Sequence, residues 1–295
     1  VLITTVGPFE RFGHTTARAA TDAGAHHVDA TGEVGFVRAL RERHHDRARA
    51  AGAVMLPAFG YDYVPGALAG ALAARQAGPD VRALDIGYFV DGSLRGGRGL
   101  SQGTRKTVAD GITPPVTVRR NDRLVDERVG HRVQAFRVDG RTRRAALASG
   151  SEVLFLPARI PALESVAVYN GWFPGDAVRL ASRVANAAVK HLAGERLVDA
   201  VRRRAVGPAG GPDATERVRT RTRVVAVARD ASGAPLAEVQ LEGPGIYDLT
   251  GELMAWAGEQ LAAGHGRTPG VVGPIDAFGL DTLAEGCAGI GPTQV

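Results

Sequence analysis

Three short apolar runs, Val1 to Val6, His26 to Thr31 and Ala53 to Phe59, each stop at a glycine turn and each precede a segment of helical period. The turns are Gly7-Pro8-Phe9, Gly32-Glu33 and Gly60-Tyr61-Asp62. The segments between read as helices: Thr15 to Ala23 closed by Gly24, Phe36 to Ala51 stopped by Gly52, and Pro65 to Gln76 with proline in its first turn. A βαβαβα series calls for a parallel sheet with right-handed crossovers. All three strand C-termini must then meet at one sheet edge, the edge at which open α/β sheets bind ligands. The first run is an interior type of strand beginning at Val1. We therefore expect the sheet to continue upstream, in an N-terminal segment that this sequence lacks.

After about Asp80 the pattern changes. Val81 to Val90, Val116 to Arg120, Val133 to Val138, Val153 to Leu156, Val166 to Tyr169 and Val218 to Ala228 read as strands. Asn121-Asp122-Arg123 and Asp230 to Pro235 suit hairpin connections. A helical block is expected from Asp176 to Arg204, a flexible glycine-rich loop from Gly92 to Gly103, a linker at Pro208 to Pro212, and a last helix from Tyr247 to Ala263. The expected fold class is α/β: the C-terminal half of a Rossmann-type parallel sheet plus a mixed α+β second domain. The expected division is 1–78 for the partial dinucleotide-binding domain, 79–245 for a substrate or dimerisation domain, and 246–295 for a C-terminal helix and tail packing back on the first.

Composition removes several function classes. The chain has 295 residues, 44% hydrophobic and 23% charged, as in globular proteins. Its single cysteine, Cys287, rules out an internal disulfide framework and reads as a packing residue. A pI near 9.8 invites a nucleic-acid reading. The arginines, however, are interleaved with acids, as at Arg43, Arg47 and Arg49 beside Glu42 and Asp46, and the densest run, Arg202-Arg203-Arg204, ends the helical block, where cations suit the macrodipole. Aromatic content of 5% offers no stacking platform, so no nucleic acid is expected. No run reaches the roughly 18 apolar residues of a membrane span, and a cytoplasmic location is the default expectation. His26-His27 point to opposite faces of a strand, and His44-His45 lie about 100° apart on a helix, so no metal site is expected. A serine-hydrolase elbow is absent from the sequence.

Four segments carry a family resemblance: Val6-Gly7-Pro8-Phe9 with Phe12-Gly13; His27-Val28-Asp29-Ala30-Thr31-Gly32-Glu33; Pro57-Ala58-Phe59-Gly60-Tyr61-Asp62-Tyr63-Val64-Pro65; and Ser101-Gln102-Gly103-Thr104. They resemble the VGPF, YVDLTGE, GFDSIP and S-x-GT motifs of the saccharopine dehydrogenase-like oxidoreductases, a group that includes the trans-acting enoyl reductases of actinobacteria. Glu242-Gly243-Pro244, Tyr247-Asp248-Leu249-Thr250 and Gly273-Pro274 with Ala277-Phe278-Gly279 look similar as well, which extends the likeness over nearly the whole chain. Two departures stand out. Tyr63 occupies the small hydroxyl position of the GFDSIP turn, and the Gly-x-Gly-x-x-Gly nucleotide fingerprint is missing from the sequence.

The resemblance implies a nicotinamide cofactor, NADP or NAD, a small-molecule or acyl substrate, and a homodimer. In that frame Val6, Gly7, Pro8, Phe9, Gly32 and Gly60 are the expected cofactor contacts, with Phe9 packing on the nicotinamide half. Glu33 and Asp62 end neighbouring strands at the shared edge, where burial tunes a carboxyl toward acid–base work. Tyr61 and Tyr63 are candidate proton donors whose hydroxyl acidity would have to rise. Structural roles compete with these: Asp62 as a helix cap, Glu33 at a helix N-terminus, and the tyrosines as interface packing. Two functions are therefore carried forward, an NAD(P)-dependent oxidoreductase and a non-catalytic binding or scaffold remnant without a working nucleotide site.

Overall fold

The structure is a computed structural model that describes residues 1–92, 99–110, 115–189 and 210–295. The first third alternates strand and helix: β1 (Leu2–Thr4), α1 (Phe9–Asp22), β2 (His27–Asp29), α2 (Val34–Ala50), β3 (Val54–Leu56) and α3 (Val64–Ala77). Helix α1 begins at Phe9, earlier than the expected Thr15, because Phe9, Gly13 and Ala17 form one buried stripe. Gly13 is needed there: a Cβ would lie 2.6 Å from Cζ of Phe36 on α2. Phe36 is fully buried, 5.7 Å from the Phe9 ring and 5.0 Å from the His14 ring, centroid to centroid.

The three strands lie in sequence order and pair in parallel. A fourth parallel strand, β12 (Gly270–Val271), pairs with β3 from near the C-terminus. Met55 of β3 faces α1 and α2, while Val54 and Leu56 face the larger core on the other side. This is the pattern of a parallel sheet covered on both faces.

A second, mixed sheet is built from β4 (Ala83–Asp91), β5 (Pro115–Arg120), β6 (Arg123–Arg128), β7 (Val133–Val138), β8 (Arg141–Ala148), β9 (Ser165–Asn170), β10 (Arg221–Arg229), β11 (Pro235–Gly243) and β13 (Thr293–Gln294). Its order is β13-β11-β10-β4-β9-β5-β6, with β8 also on β9 and β7 on β8. Pairing is antiparallel except between β4 and β9. Asn121 and Asp122 take positive φ at the β5–β6 turn, as a tight hairpin requires.

The remaining helices are α4 (Gln102–Asp110), α5 (Glu152–Arg159), α6 (Gly175–Val189), α7 (Ala214–Val218), α8 (Ile246–Ala262), α9 (Pro274–Phe278) and α10 (Leu280–Ile290). Two expected strands need correction. Val153 to Leu156 is the core of α5, and Val218 ends α7, so the strand expected from Val218 begins at Arg221. A four-residue apolar run has no period long enough to separate strand from buried helix. The centre of the glycine-rich loop at 93–98 and the end of the expected helical block at 190–204, with Arg202 to Arg204, lie outside the described residues, as does the start of the linker at 208–209.

Helix α3 joins the two sheets. It leaves the parallel sheet, packs beneath β4, β10 and β11, and is buried from Val64 to Ala74. Its near-continuous Gly and Ala content lets it sit between neighbours on every side. Many arginines of the mixed sheet are held by carboxylates, as in Arg143 and Arg223 on Asp91 and Arg229 on Asp85. Among the described residues no helix is long and apolar enough to cross a membrane.

The α1–α2 contact generates a test. Phe36→Ala is expected to cost about 3–5 kcal/mol, since it empties a fully enclosed site between two helices. Urea denaturation should show this as a lower midpoint with an unchanged slope.

Candidate functional site

The C-terminal edge of the parallel sheet is bound together by short polar side chains. Asp29 ends β2 and is fully buried. Its Oδ1 accepts from Thr31 N at 3.0 Å and from Ala58 N at 3.0 Å, and its backbone carbonyl accepts from Phe59 N at 2.6 Å. The loop after β2 is thus tied to the loop after β3. Burial pushes the Asp29 carboxyl up to about 7, against the two amide bonds that pull it down. His27 lies alongside, Nδ1 3.7 Å from Asp29 Oδ2, and burial drives it down to about 4. At that distance, with burial opposing both charges, the pair is better described as two largely neutral groups than as an ion pair.

Glu33 is committed to the same edge. Its backbone N donates to Thr31 Oγ1, and its carboxylate accepts from Phe9 N at 2.9 Å and Glu10 N at 2.8 Å. It therefore satisfies the first amides of α1 and places a negative charge at the positive end of that helix. The sequence expectation had set Glu33 at the helix that follows it. The structure sets its side chain on the helix before it.

The turn after β3 reaches from the parallel sheet to the mixed one. Gly60 is buried where a Cβ would lie 2.8 Å from Cγ2 of Thr250 on α8, so a glycine is needed there for close packing. Tyr61 N donates to Thr250 Oγ1 at 3.1 Å. The Tyr61 hydroxyl donates to the Phe89 carbonyl of β4 at 3.1 Å and accepts from Trp172 Nε1 at 3.4 Å. Tyr61 is buried, its ring stacks on Trp172 at 6.0 Å and meets Tyr88 edge-on at 5.4 Å, and burial raises its hydroxyl far above the usual tyrosine range. This geometry makes Tyr61 a clamp between sheets and leaves its proton engaged. Tyr63 is likewise buried and packs on Phe155 of α5.

Asp62 is different. It stands between two buried tyrosines, yet its own surface is open to solvent. Its Oδ2 lies over Gly32, 3.6 Å from where a Cβ would be. The surrounding chain crowds it enough to push its carboxyl up to about 6. Of the three expected catalytic residues, Asp62 alone offers a free reactive group.

The expected cofactor residues divide in two. Val6, Gly7 and Gly32 are exposed at this edge, and Pro8 is half-buried before α1. The Phe9 ring packs in the α1–α2 core, with one side 3.8 Å from the Cβ position of Gly7 at the edge. The Ser101-Gln102-Gly103-Thr104 motif starts α4. Ser101 N donates to the Tyr247 hydroxyl at 2.6 Å, and Thr104 Oγ1 lies 3.0 Å from the same oxygen. Tyr247 and Thr250 share the first turns of α8, so that helix gathers both the Gly60 turn and the α4 terminus. Sequence reasoning noted both residues only as part of a resemblance. No group of histidine, cysteine and carboxylate residues suited to a metal occurs among the described residues. A surface recess of about 540 Å³ between α8 and α10, lined by Glu252, Trp256, Glu259 and Glu285, lies apart from Asp62.

Two outcomes follow from this geometry. Glu33→Ala leaves two helix-terminal amides unpaired and should lower stability by about 1–3 kcal/mol in denaturant titration. For Asp62 the sign runs the other way. Its carboxyl ionises near 3.8 when unfolded and about 6 when folded, so native stability falls as pH rises across that interval. Asp62→Asn should therefore be more stable than wild type at about pH 7 and match it at about pH 3. A variant less stable than wild type at neutral pH would contradict the raised pKa.

No family model matches the chain. A stretch of 65 residues, 22% of the chain, is 42% identical to a trans-acting enoyl reductase of Mycobacterium leprae and covers 16% of that protein. A stretch of 76 residues, 26% of the chain, is 32% identical to a probable mitochondrial saccharopine dehydrogenase-like oxidoreductase of Arabidopsis thaliana, of which it covers 17%. The sequence matches therefore span a small part of these curated relatives and less of the chain than the motifs suggested. In fold the likeness is broader: saccharopine dehydrogenase (L-Glu forming) of Saccharomyces cerevisiae aligns with 99% of this chain and 84% of its own at a TM-score of 0.57, with 12% identity. The chain is thus similar, in sequence over those stretches and in fold over nearly its whole length, to the saccharopine dehydrogenase-like oxidoreductases.

Proposed function

We propose that the chain serves an NAD(P)-dependent oxidoreductase that moves a hydride to or from a small-molecule or acyl substrate. The supporting observation is the placement of Asp62. It is the one solvent-open acid on a turn otherwise clamped between the parallel and mixed sheets. The names of the relatives, reductase and oxidoreductase, point the same way.

The residues suit one part of a dinucleotide better than another. Val6 and Gly7 are exposed, and Gly7 has only the Phe9 ring within van der Waals reach of a Cβ position, so backbone here can flank a flat ring. The first amides of α1 are taken by Glu33, so they offer nothing to a phosphate. A bound nicotinamide would supply or accept the hydride. Asp62 gives or takes the accompanying proton at its carboxyl. On the mixed-sheet side of the turn the Tyr61 ring stacks on Trp172.

The second reading, a binding or scaffold protein without a working nucleotide site, draws on that same occupation of the α1 amides. One experiment separates the two. The chain is titrated with NADPH and with NADH up to about 1 mM, the upper end of ordinary enzyme affinities, while nicotinamide fluorescence is followed. Saturable binding of either nucleotide supports the oxidoreductase. Absence of binding by either nucleotide favours the scaffold reading.

A further inference from the structure

Beneath the turn that carries Asp62 lies a second carboxyl that the proposed chemistry does not touch. Glu152, in the first turn of α5, has no solvent exposure. Its Oε1 lies 2.5 Å from the hydroxyl of Tyr88 on β4, and its Oε2 is buried without a hydrogen-bond partner among the described residues. The same Tyr88 hydroxyl lies 3.3 Å from the backbone carbonyl of Tyr63, the residue after Asp62. Two glycines make this arrangement possible. A Cβ on Gly66 of α3 would collide with the Tyr88 hydroxyl and the Glu152 carboxyl, and one on Gly150 would crowd the other Glu152 oxygen.

The geometry poses a count of protons. Tyr88 has one hydroxyl proton and two acceptors within reach, Glu152 Oε1 and the Tyr63 carbonyl. Both contacts are full hydrogen bonds only when Glu152 brings a proton of its own. Glu152 then donates to the Tyr88 oxygen, and Tyr88 donates onward to the Tyr63 carbonyl.

We infer that Glu152 is held as a neutral carboxylic acid and, through Tyr88, acts as a positioning residue for the turn that presents Asp62. Loss of the Glu152 proton to solvent turns the Tyr88 hydroxyl toward the carboxylate and leaves the Tyr63 carbonyl unpaired. The turn is then released on its mixed-sheet side, and a new negative charge faces Asp62.

The surroundings favour the neutral form. Burial raises the Glu152 carboxyl to about 8, and the Asp62 charge adds to the effect. The groups facing it are Tyr88 from β4 and Asp62 and Tyr63 from the start of α3. From α2, Arg41 reaches the same helix, but its guanidinium donates to the Leu154 carbonyl. Asp276 of α9 acts on Tyr63 and is held by Arg159. Val168 of β9 closes the Gly150 side with methyl groups. No cation among these groups is bonded to the Glu152 carboxyl. The inference rests on the proposed function only in taking Asp62 as the reacting acid; the proton on Glu152 stands independently of it.

The test is a carbon-13 NMR titration of the whole chain carrying labelled Asp and Glu carboxyls. One glutamate signal should stay at the protonated position through neutral pH, titrate at about 8 and vanish in Glu152→Gln. The Asp62 signal, identified by its loss in Asp62→Asn, should show its own step at about 6 and a second inflection at about 8. Glu152→Gln, which keeps a donor toward Tyr88, should retain the first step and lose the second. Should Glu152→Gln not fold, Tyr88→Phe reports on the same link, since the second Asp62 inflection must shrink without the bridging hydroxyl. All glutamates titrating in the ordinary carboxylate range, or an Asp62 signal with no alkaline inflection, overturns the inference. Neither readout uses nucleotide, so failed cofactor binding and failed proton storage are told apart.

Discussion

A helix enclosed on every side dictates much of this structure. Helix α3 carries the chain from the parallel sheet to the underside of the mixed one, and its neighbours include β4, β10, β11, α5 and α10. Side chains of ordinary size on all its faces would hold those elements apart. The run Gly66-Ala67-Leu68-Ala69-Gly70-Ala71-Leu72-Ala73-Ala74 brings them close enough to form one continuous apolar core. Glycine in a helix interior costs about 1 kcal/mol relative to alanine, so Gly66 and Gly70 are offset by the contacts they permit. At Gly66 those contacts are polar, and the vacant Cβ position is filled by a tyrosine hydroxyl and a carboxyl.

The candidate site inherits its rigidity from that helix. Asp62 lies just before α3, on a turn whose backbone is bonded to α8 through Thr250 and to β4 through Tyr61 and Tyr88. Its crowding comes from this anchoring, and the crowding raises its carboxyl. Glu33 and Asp29 serve the same end differently. They use their carboxyls to hold neighbouring backbone, which fixes the edge against which Asp62 stands.

The sequence announced the parallel sheet because its strands are short, apolar and closed by glycine, a pattern with few other solutions. It announced the antiparallel strands unevenly. β6 and β8 escaped notice because Arg123, Asp126 and Glu127 in one and Arg141, Arg143 and Arg144 in the other mask the β pattern behind surface charge. α5 was misread because Val153-Leu154-Phe155-Leu156 is apolar throughout and the following Pro157 argues against a helix, yet the helix continues past it to Arg159. The place of Asp62 at the sheet edge was legible, since it follows a strand. The other half was not. A glutamate written Ser151-Glu152-Val153 looks like any exposed residue at a helix start, and only the three-dimensional arrangement reveals that it faces a tyrosine from a distant strand. Phe9 shows the converse: its position by the edge was read correctly, but the direction of its ring depends on Gly13 and Phe36.

The parallel sheet has a consequence for how the chain is made. Its fourth strand, β12, pairs Gly270 with Val54, and all of the mixed sheet except β13 lies between them in sequence. β3 is made before β12 exists, so during synthesis its edge waits unpaired. Such edges invite pairing with other chains. That edge is therefore completed late, and a chain stalled before Gly270 would display the β3 edge that the finished fold covers.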